Sequence, residues 1–143
     1  MAEKVRLSNM VIIKIILFHL LYCLLGMCVV AFNLTFTTHI NMQTVLYTIF
    51  SVFVIISYFW FGYKFDNKGL KFHVQIWILS VILVGISFMD VKTATLLNLP
   101  FQPLASLFYH NSQTQEIACI ITSLLPSALI QSGYIYKERN SEK

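Results

Sequence analysis

Charged residues are scarce in this chain of 143 residues, because Asp, Glu, Lys and Arg together make up only 11% of it. A soluble domain carries about 25% charged residues. Hydrophobic residues make up 57% of the chain, and a soluble protein of this size would have to expose a large apolar patch, which soluble monomers avoid. The composition therefore excludes an ordinary water-soluble domain and predicts one transmembrane domain covering residues 1–143.

Acidic residues are the rarer of the two signs, with 6 Asp and Glu against 10 Lys and Arg and a net charge of +4. A basic protein can bind nucleic acid when its positive charges share one face. Here the basic residues stand in short clusters between apolar runs, a pattern typical of membrane orientation and of contact with anionic lipid headgroups. We therefore expect the lipid bilayer as a partner and no nucleic acid.

Cysteine occurs three times, as Cys23, Cys28 and Cys119, always inside an apolar segment and never as a CxxC pair. The odd number and the positions argue against a disulfide framework or a zinc site. The three residues are expected to be small buried apolar side chains. A disulfide between Cys28 and Cys119 is the alternative, because the topology predicted below places both in the outer part of the membrane.

Long apolar runs take the place of the missing charge. Residues 15–63 contain no charged residue, and a single helix of that length would be about twice as long as the hydrocarbon core is thick. A polar stretch at 33–43 divides this run, and the charged stretch 64–71 separates it from the next one. The sequence predicts an all-α fold of four transmembrane helices, at about 11–33, 43–63, 72–90 and 117–136.

Residues 91–115 are the ambiguous part of the chain, because they are long enough to form a fifth span. Pro100 and Pro103 stand in this stretch, and a proline inside a helix removes a backbone hydrogen bond that lipid cannot replace. With four spans, nine of the ten Lys and Arg residues fall on one side and only Lys92 falls opposite. The positive-inside rule therefore predicts a multi-pass protein of the cell membrane with cytoplasmic N- and C-termini.

The stretch 91–115 then becomes an external interfacial segment between helices three and four. Leu104, Leu107 and Phe108 share one face at helical spacing, and a proline such as Pro100 suits the start of a helix. We expect an ordered element within 94–110, with a short helix after Pro100, lying on or dipping into the outer interface. Phe108 is a candidate for partner contact, because the segment is the only long external feature.

Helix four has polar residues spaced by three or four positions, namely Glu116, Cys119, Ser123, Ser127, Gln131 and Tyr134. At about 100° per residue they share one face, which should point at protein rather than lipid. Small serines permit close helix contact and Gln131 can hydrogen-bond across it. Ser123, Ser127 and Gln131 are therefore candidates for ligand or partner contact, and packing inside the bundle is the alternative.

Helix one places His19 about two turns inside the membrane from its cytoplasmic end. An ionisable residue at that depth is a functional candidate by default. The alternative is a neutral imidazole whose hydrogen bonds are satisfied by a Ser, Thr or Gln on a neighbouring helix.

The predicted spans have no Asp or Glu at depth. Proton pumps and ion-coupled transporters usually keep such a carboxylate, and intramembrane aspartyl and zinc proteases need paired carboxylates or an HExxH helix. The sequence thus predicts no catalytic residue, no metal and no cofactor, and it favours a protein that is not an enzyme.

The function that these observations favour is protein–protein contact within the membrane. The protein would be an accessory, immunity-type or regulatory subunit that binds another membrane protein or itself. The alternative is a small oligomeric transporter or channel lined by the polar face of helix four.

Overall fold

The computed structural model describes residues 2–36, 40–65, 70–102 and 112–141. These residues form helices and short connections, with no β-strand in the described ranges. The elements are α1 (Ala2–Phe36), α2 (Ile40–Tyr63), α3 (Leu70–Met89), α4 (Val91–Leu97), a 3-10 helix (Leu99–Phe101) and α5 (Ser112–Ser141). The predicted all-α fold is confirmed.

Three of these helices are long and apolar enough to cross a membrane by length and composition. They contain the stretches Val11–Phe32, Val45–Tyr63 and Thr114–Ser141, while His73–Met89 is a shorter apolar stretch. The first two agree with the predicted spans. The third begins and ends beyond the predicted 117–136, because the polar residues on both sides of that run continue the helix instead of ending it. These three helices indicate a membrane protein.

Aromatic rings join α1 to α2. Phe18 stacks on Phe61 at 4.0 Å between ring centroids, and Tyr22 lies 6.1 Å from Phe53. Since a later residue of α1 meets an earlier residue of α2, the two helices run antiparallel. Tyr58 is fully buried at the centre of this contact, where it touches the Phe18 ring edge-on.

Two glycines let α2 and α5 pack backbone against backbone. A Cβ atom added at Gly133 would overlap the carbonyl oxygen of Phe59, and one added at Gly62 would overlap that of Ile130. Each glycine therefore lets the backbone of the other helix approach closely. Close contact of this kind is a main source of helix association in lipid, where the hydrophobic effect between helices is absent. No local sequence pattern predicts this pair of contacts.

α4 turns back into the bundle immediately after α3, since Asp90 alone separates the two helices. The Leu97 carbonyl meets His19 of α1, and Phe101 packs on Tyr58 of α2 with ring centroids 5.3 Å apart. We call residues 91–101 the re-entrant segment, because it enters between α1, α2, α3 and α5.

The re-entrant segment differs from the predicted interfacial element. The helix α4 precedes Pro100, and Pro100 stands in the first turn of the 3-10 helix. The helix predicted after Pro100 falls on residues of which 103–110 lie outside the described ranges. Leu99, Pro100 and Phe101 are all buried, with Leu99 close to Gly26, which has no side chain, and Phe101 against Tyr58. Phe108, the predicted contact residue, lies outside the described residues.

Replacing Gly133 by Ala should destabilise the protein by about 1–3 kcal/mol, because the added methyl group forces α2 and α5 apart at a backbone contact. Gly85→Ala is the matched control. A Cβ at Gly85 meets nothing within 4 Å, and alanine is the better helix former. Thermal unfolding in mild detergent should show a lower midpoint for Gly133→Ala and an unchanged or higher one for Gly85→Ala; equal midpoints would contradict the proposed close contact.

Candidate functional site

The serines of α5 are buried against α3 of the same chain. Ser127 donates its hydroxyl hydrogen to the Ile76 carbonyl at 2.7 Å. The Ser80 hydroxyl lies 2.7 Å from both Ser127 Oγ and the Ser123 carbonyl, so its single hydrogen is shared between these two acceptors. Ser123 and Ser127 have no exposed surface. The middle of the predicted polar stripe, at Ser123 and Ser127, thus faces protein and meets α3, whereas Glu116 at its start is exposed.

Gln131 extends this contact towards the end of the bundle where α5 finishes. Its Nε2 lies 2.6 Å from Nδ1 of His73, at the start of α3. Because the amide N–H donates, this ring nitrogen of His73 is the acceptor. The Oε1 atom of Gln131 is buried and has no hydrogen-bond partner. Gln131 therefore helps to join α5 to α3, like the serines above it.

Asn98, at the end of α4, joins the re-entrant segment to the same stripe. Its Nδ2 donates to Ser123 Oγ at 2.8 Å, and Ser123 donates onward to the Cys119 carbonyl at 2.7 Å. Asn98 is only 2% exposed, yet its Oδ1 has no hydrogen-bond partner. Asn98 is not among the predicted candidates, because it stands in the segment that the sequence predicts to be external.

His19 holds the other side of the re-entrant segment. Its Nε2 lies 2.9 Å from the Leu97 carbonyl, which can only accept, so Nε2 carries the hydrogen. In the neutral ring Nδ1 is then an acceptor, and the Tyr58 hydroxyl donates to it at 2.7 Å. The Cys23 thiol donates to the same Leu97 carbonyl at 3.1 Å. We call these contacts of the Leu97 carbonyl the latch.

The partners of His19 are thus a tyrosine and a backbone carbonyl, instead of the expected Ser, Thr or Gln. His19 is 2% exposed and both of its ring nitrogens are occupied. It cannot bind a ligand or a metal without first releasing Leu97 or Tyr58. In the described residues no group of three or more His, Cys, Asp or Glu is placed to hold a metal ion.

Asp90 fixes the point where the chain turns from α3 into α4. Its carboxylate accepts from the Thr93 hydroxyl at 2.5 Å and from the Lys92 backbone N–H at 3.1 Å. The hydrogen bond from Thr93, followed by that from Lys92, lowers the pKa of Asp90 below its ordinary value. The carboxylate is therefore charged at neutral pH and caps the first turn of α4.

The three cysteines are free thiols. Cys28 is exposed on α1, whereas Cys119 is buried beside the re-entrant segment, with its sulfur 3.6 Å from the Thr95 hydroxyl. The alternative of a disulfide between Cys28 and Cys119 is therefore not realised in this structure. The predicted burial holds for Cys23 and Cys119 but not for Cys28.

The outward face of α3 has an open apolar groove of about 410 Å³. The residues that line it are His73, Val74, Trp77, Ile78, Val81 and Ile82. Gly85, one turn further along, lies on the same face and is exposed. The other three glycines described face a neighbouring backbone or side chain at close range, whereas Gly85 faces open space.

The chain matches no protein family, no curated protein and no solved structure. Its function therefore has to be inferred from its own residues and their arrangement.

Replacing His19 by Leu should lower stability by about 1–3 kcal/mol, because the Tyr58 hydroxyl and the Leu97 carbonyl each lose a hydrogen-bond partner in a buried site. Ser132→Ala is the control, since Ser132 is exposed and bonds only the Ala128 carbonyl of its own helix. The midpoint of thermal unfolding in detergent measures both. A His19→Leu protein as stable as the Ser132→Ala protein would show that the latch does not stabilise the fold.

Proposed function

We propose that the protein spans the cell membrane four times, with both termini in the cytoplasm. α3 has 20 residues, which at about 1.5 Å per residue equals the thickness of the hydrocarbon core. Lys137 near the end of α5 donates to the carbonyl of Phe65, just beyond the end of α2, at 3.1 Å. This contact supports a common side for the basic ends of both helices, as the positive-inside rule requires.

Cysteine labelling tests this topology. In a protein whose three natural cysteines are replaced by Ser, single cysteines at Asn67 and Glu142 should react with an impermeant thiol reagent only from the cytoplasmic side. A cysteine at Asn111 should react only from outside. Labelling of the Glu142 position from outside would refute the four-span arrangement.

We propose further that the protein acts by contact with a transmembrane helix of another membrane protein or of a second copy, and that this helix binds the outward face of α3. The observation that carries the proposal is Gly85. A glycine within a helix costs about 1 kcal/mol relative to Ala, and at Gly62 and Gly133 a close backbone contact explains that cost. At Gly85 no close contact with any described residue explains that cost.

A partner helix packed against α3 at this position accounts for the presence of glycine at residue 85. Without a side chain at Gly85, another backbone can approach α3 closely, as small residues permit in helix pairs in membranes. The groove before Gly85 is apolar apart from His73 at one end, so it can receive the side chains of an apolar helix. A flexible acyl chain would gain little from the glycine, because it fits against larger side chains equally well.

The burial of the α5 stripe also favours contact over the alternative of a pore. Ser123 and Ser127 are hydrogen-bonded to Ser80 and Ile76 of α3. A pore lined by this stripe would require α3 and α5 to separate, whereas docking at the outward face of α3 leaves the bundle unchanged. We therefore propose α3 as the contact surface in place of the polar stripe of α5.

Site-specific photocrosslinking in living cells tests this contact. A photoreactive phenylalanine at Val81, which is 70% exposed on the groove, should give a discrete protein adduct. The same amino acid at Ile56, exposed on α2, is the matched control and should give none. Gly85→Leu should abolish the Val81 adduct without lowering thermal stability, because its side chain fills open space.

The mass of the adduct distinguishes a second copy from a different protein. Lipid adducts alone at Val81, or a protein adduct that survives Gly85→Leu, would refute docking at this face.

A further inference from the structure

The re-entrant segment is joined to α3 through a hinge of one residue. Asp90 has an extended backbone, with φ −153° and ψ 105°, between two helices. Its carboxylate caps α4 through Lys92 and Thr93. These bonds lie within the segment's own first turn, so α4 can turn about Asp90 as a unit without losing its cap.

At its inner end the segment is held by few polar contacts. The Leu97 carbonyl receives its hydrogen bonds from His19 and Cys23, both on α1. Asn98 donates to Ser123 on the opposite side. Water can take the place of either partner in each of these three hydrogen bonds. The close backbone contacts at Gly62 and Gly133, by contrast, depend on the shape of the two helices.

One buried acceptor is left unsatisfied when the segment is in place. Asn98 is 2% exposed and its Oδ1 has no hydrogen-bond partner. A buried oxygen without a donor is a cost to the arrangement that contains it. Water reaching Asn98 Oδ1 would remove this cost, and the gain would offset part of the free energy needed to move the segment out.

We propose that the re-entrant segment is a movable plug, which turns about Asp90, releases the latch at Leu97 and admits water to the polar centre of the bundle. The groups that water then reaches are His19, Cys23 and Asn98. Cys119 becomes accessible as well, because its sulfur lies against Thr95 of α4. This motion does not depend on partner docking at α3, so either proposal can fail without the other.

A disulfide lock tests the plug. A Cβ added at Gly26 would lie 3.3 Å from the Cβ of Leu99, close to the separation of about 3.5–4.5 Å that a disulfide requires. The protein Gly26→Cys, Leu99→Cys, Cys28→Ser can therefore be closed by copper phenanthroline and reopened by dithiothreitol. The oxidised and reduced forms have the same sequence and differ in the lock alone.

The readout is modification of Cys119 by a positively charged thiosulfonate in membrane fragments that expose both faces, scored by peptide mass spectrometry. We expect modification at least tenfold faster in the reduced form than in the oxidised form. A further Ser141→Cys substitution, exposed at the end of α5, controls for reagent access and should react equally in both forms.

In the same assay His19→Phe, without the engineered cysteines, should speed the modification of Cys119, because it removes one donor of the latch. Ser80→Ala is its control, since Ser80 hydrogen-bonds Ser123 and Ser127 of α5 and is not a donor of the latch. Equal rates for Cys119 in the locked and unlocked forms, or no modification of Cys119 in either form, would overturn the proposal.

Discussion

A bilayer offers no hydrogen-bond partner to a polar group in its core, and this constraint shapes the centre of the protein. The chain satisfies it by pairing polar groups across helices. Ser127 bonds the backbone of α3, and His19 bonds the backbone of the re-entrant segment. The pairing is incomplete at Asn98 Oδ1. A water molecule reaching this oxygen would supply the missing hydrogen bond.

α5 packs against both α2 and α3, and the two contacts are of different kinds. Towards α3 it presents hydroxyl groups, among them Ser123 and Ser127. Towards α2 it presents Gly133, where the absence of a side chain brings two backbones together. The first contact is directional and the second depends on shape, so together they fix both the rotation of α5 and its distance from its neighbours.

α3 links the two proposals made above. Gly85, on its outward face, meets no described residue of the chain at close range, and Asp90, just beyond the end of α3, is the proposed hinge of the re-entrant segment. The two residues are little more than one helical turn apart. The proposed partner surface and the proposed hinge therefore lie on or next to the same helix, and the hydrogen bond from His19 to the Leu97 carbonyl belongs to the latch that the plug would release.

By itself the sequence determined the membrane class, the positions of the apolar helices and the inward direction of the α5 stripe, because apolar length and helical spacing are local properties. It could not place Asn98, match Gly62 to Ile130 and Gly133 to Phe59, or choose Tyr58 and Leu97 as the partners of His19. Those contacts join residues from separate elements, and the burial of residues 98–101 depends on surrounding helices, such as the Gly26 turn of α1 against which Leu99 packs. Only the tertiary structure decided them, since no local pattern encodes which distant backbone will be near.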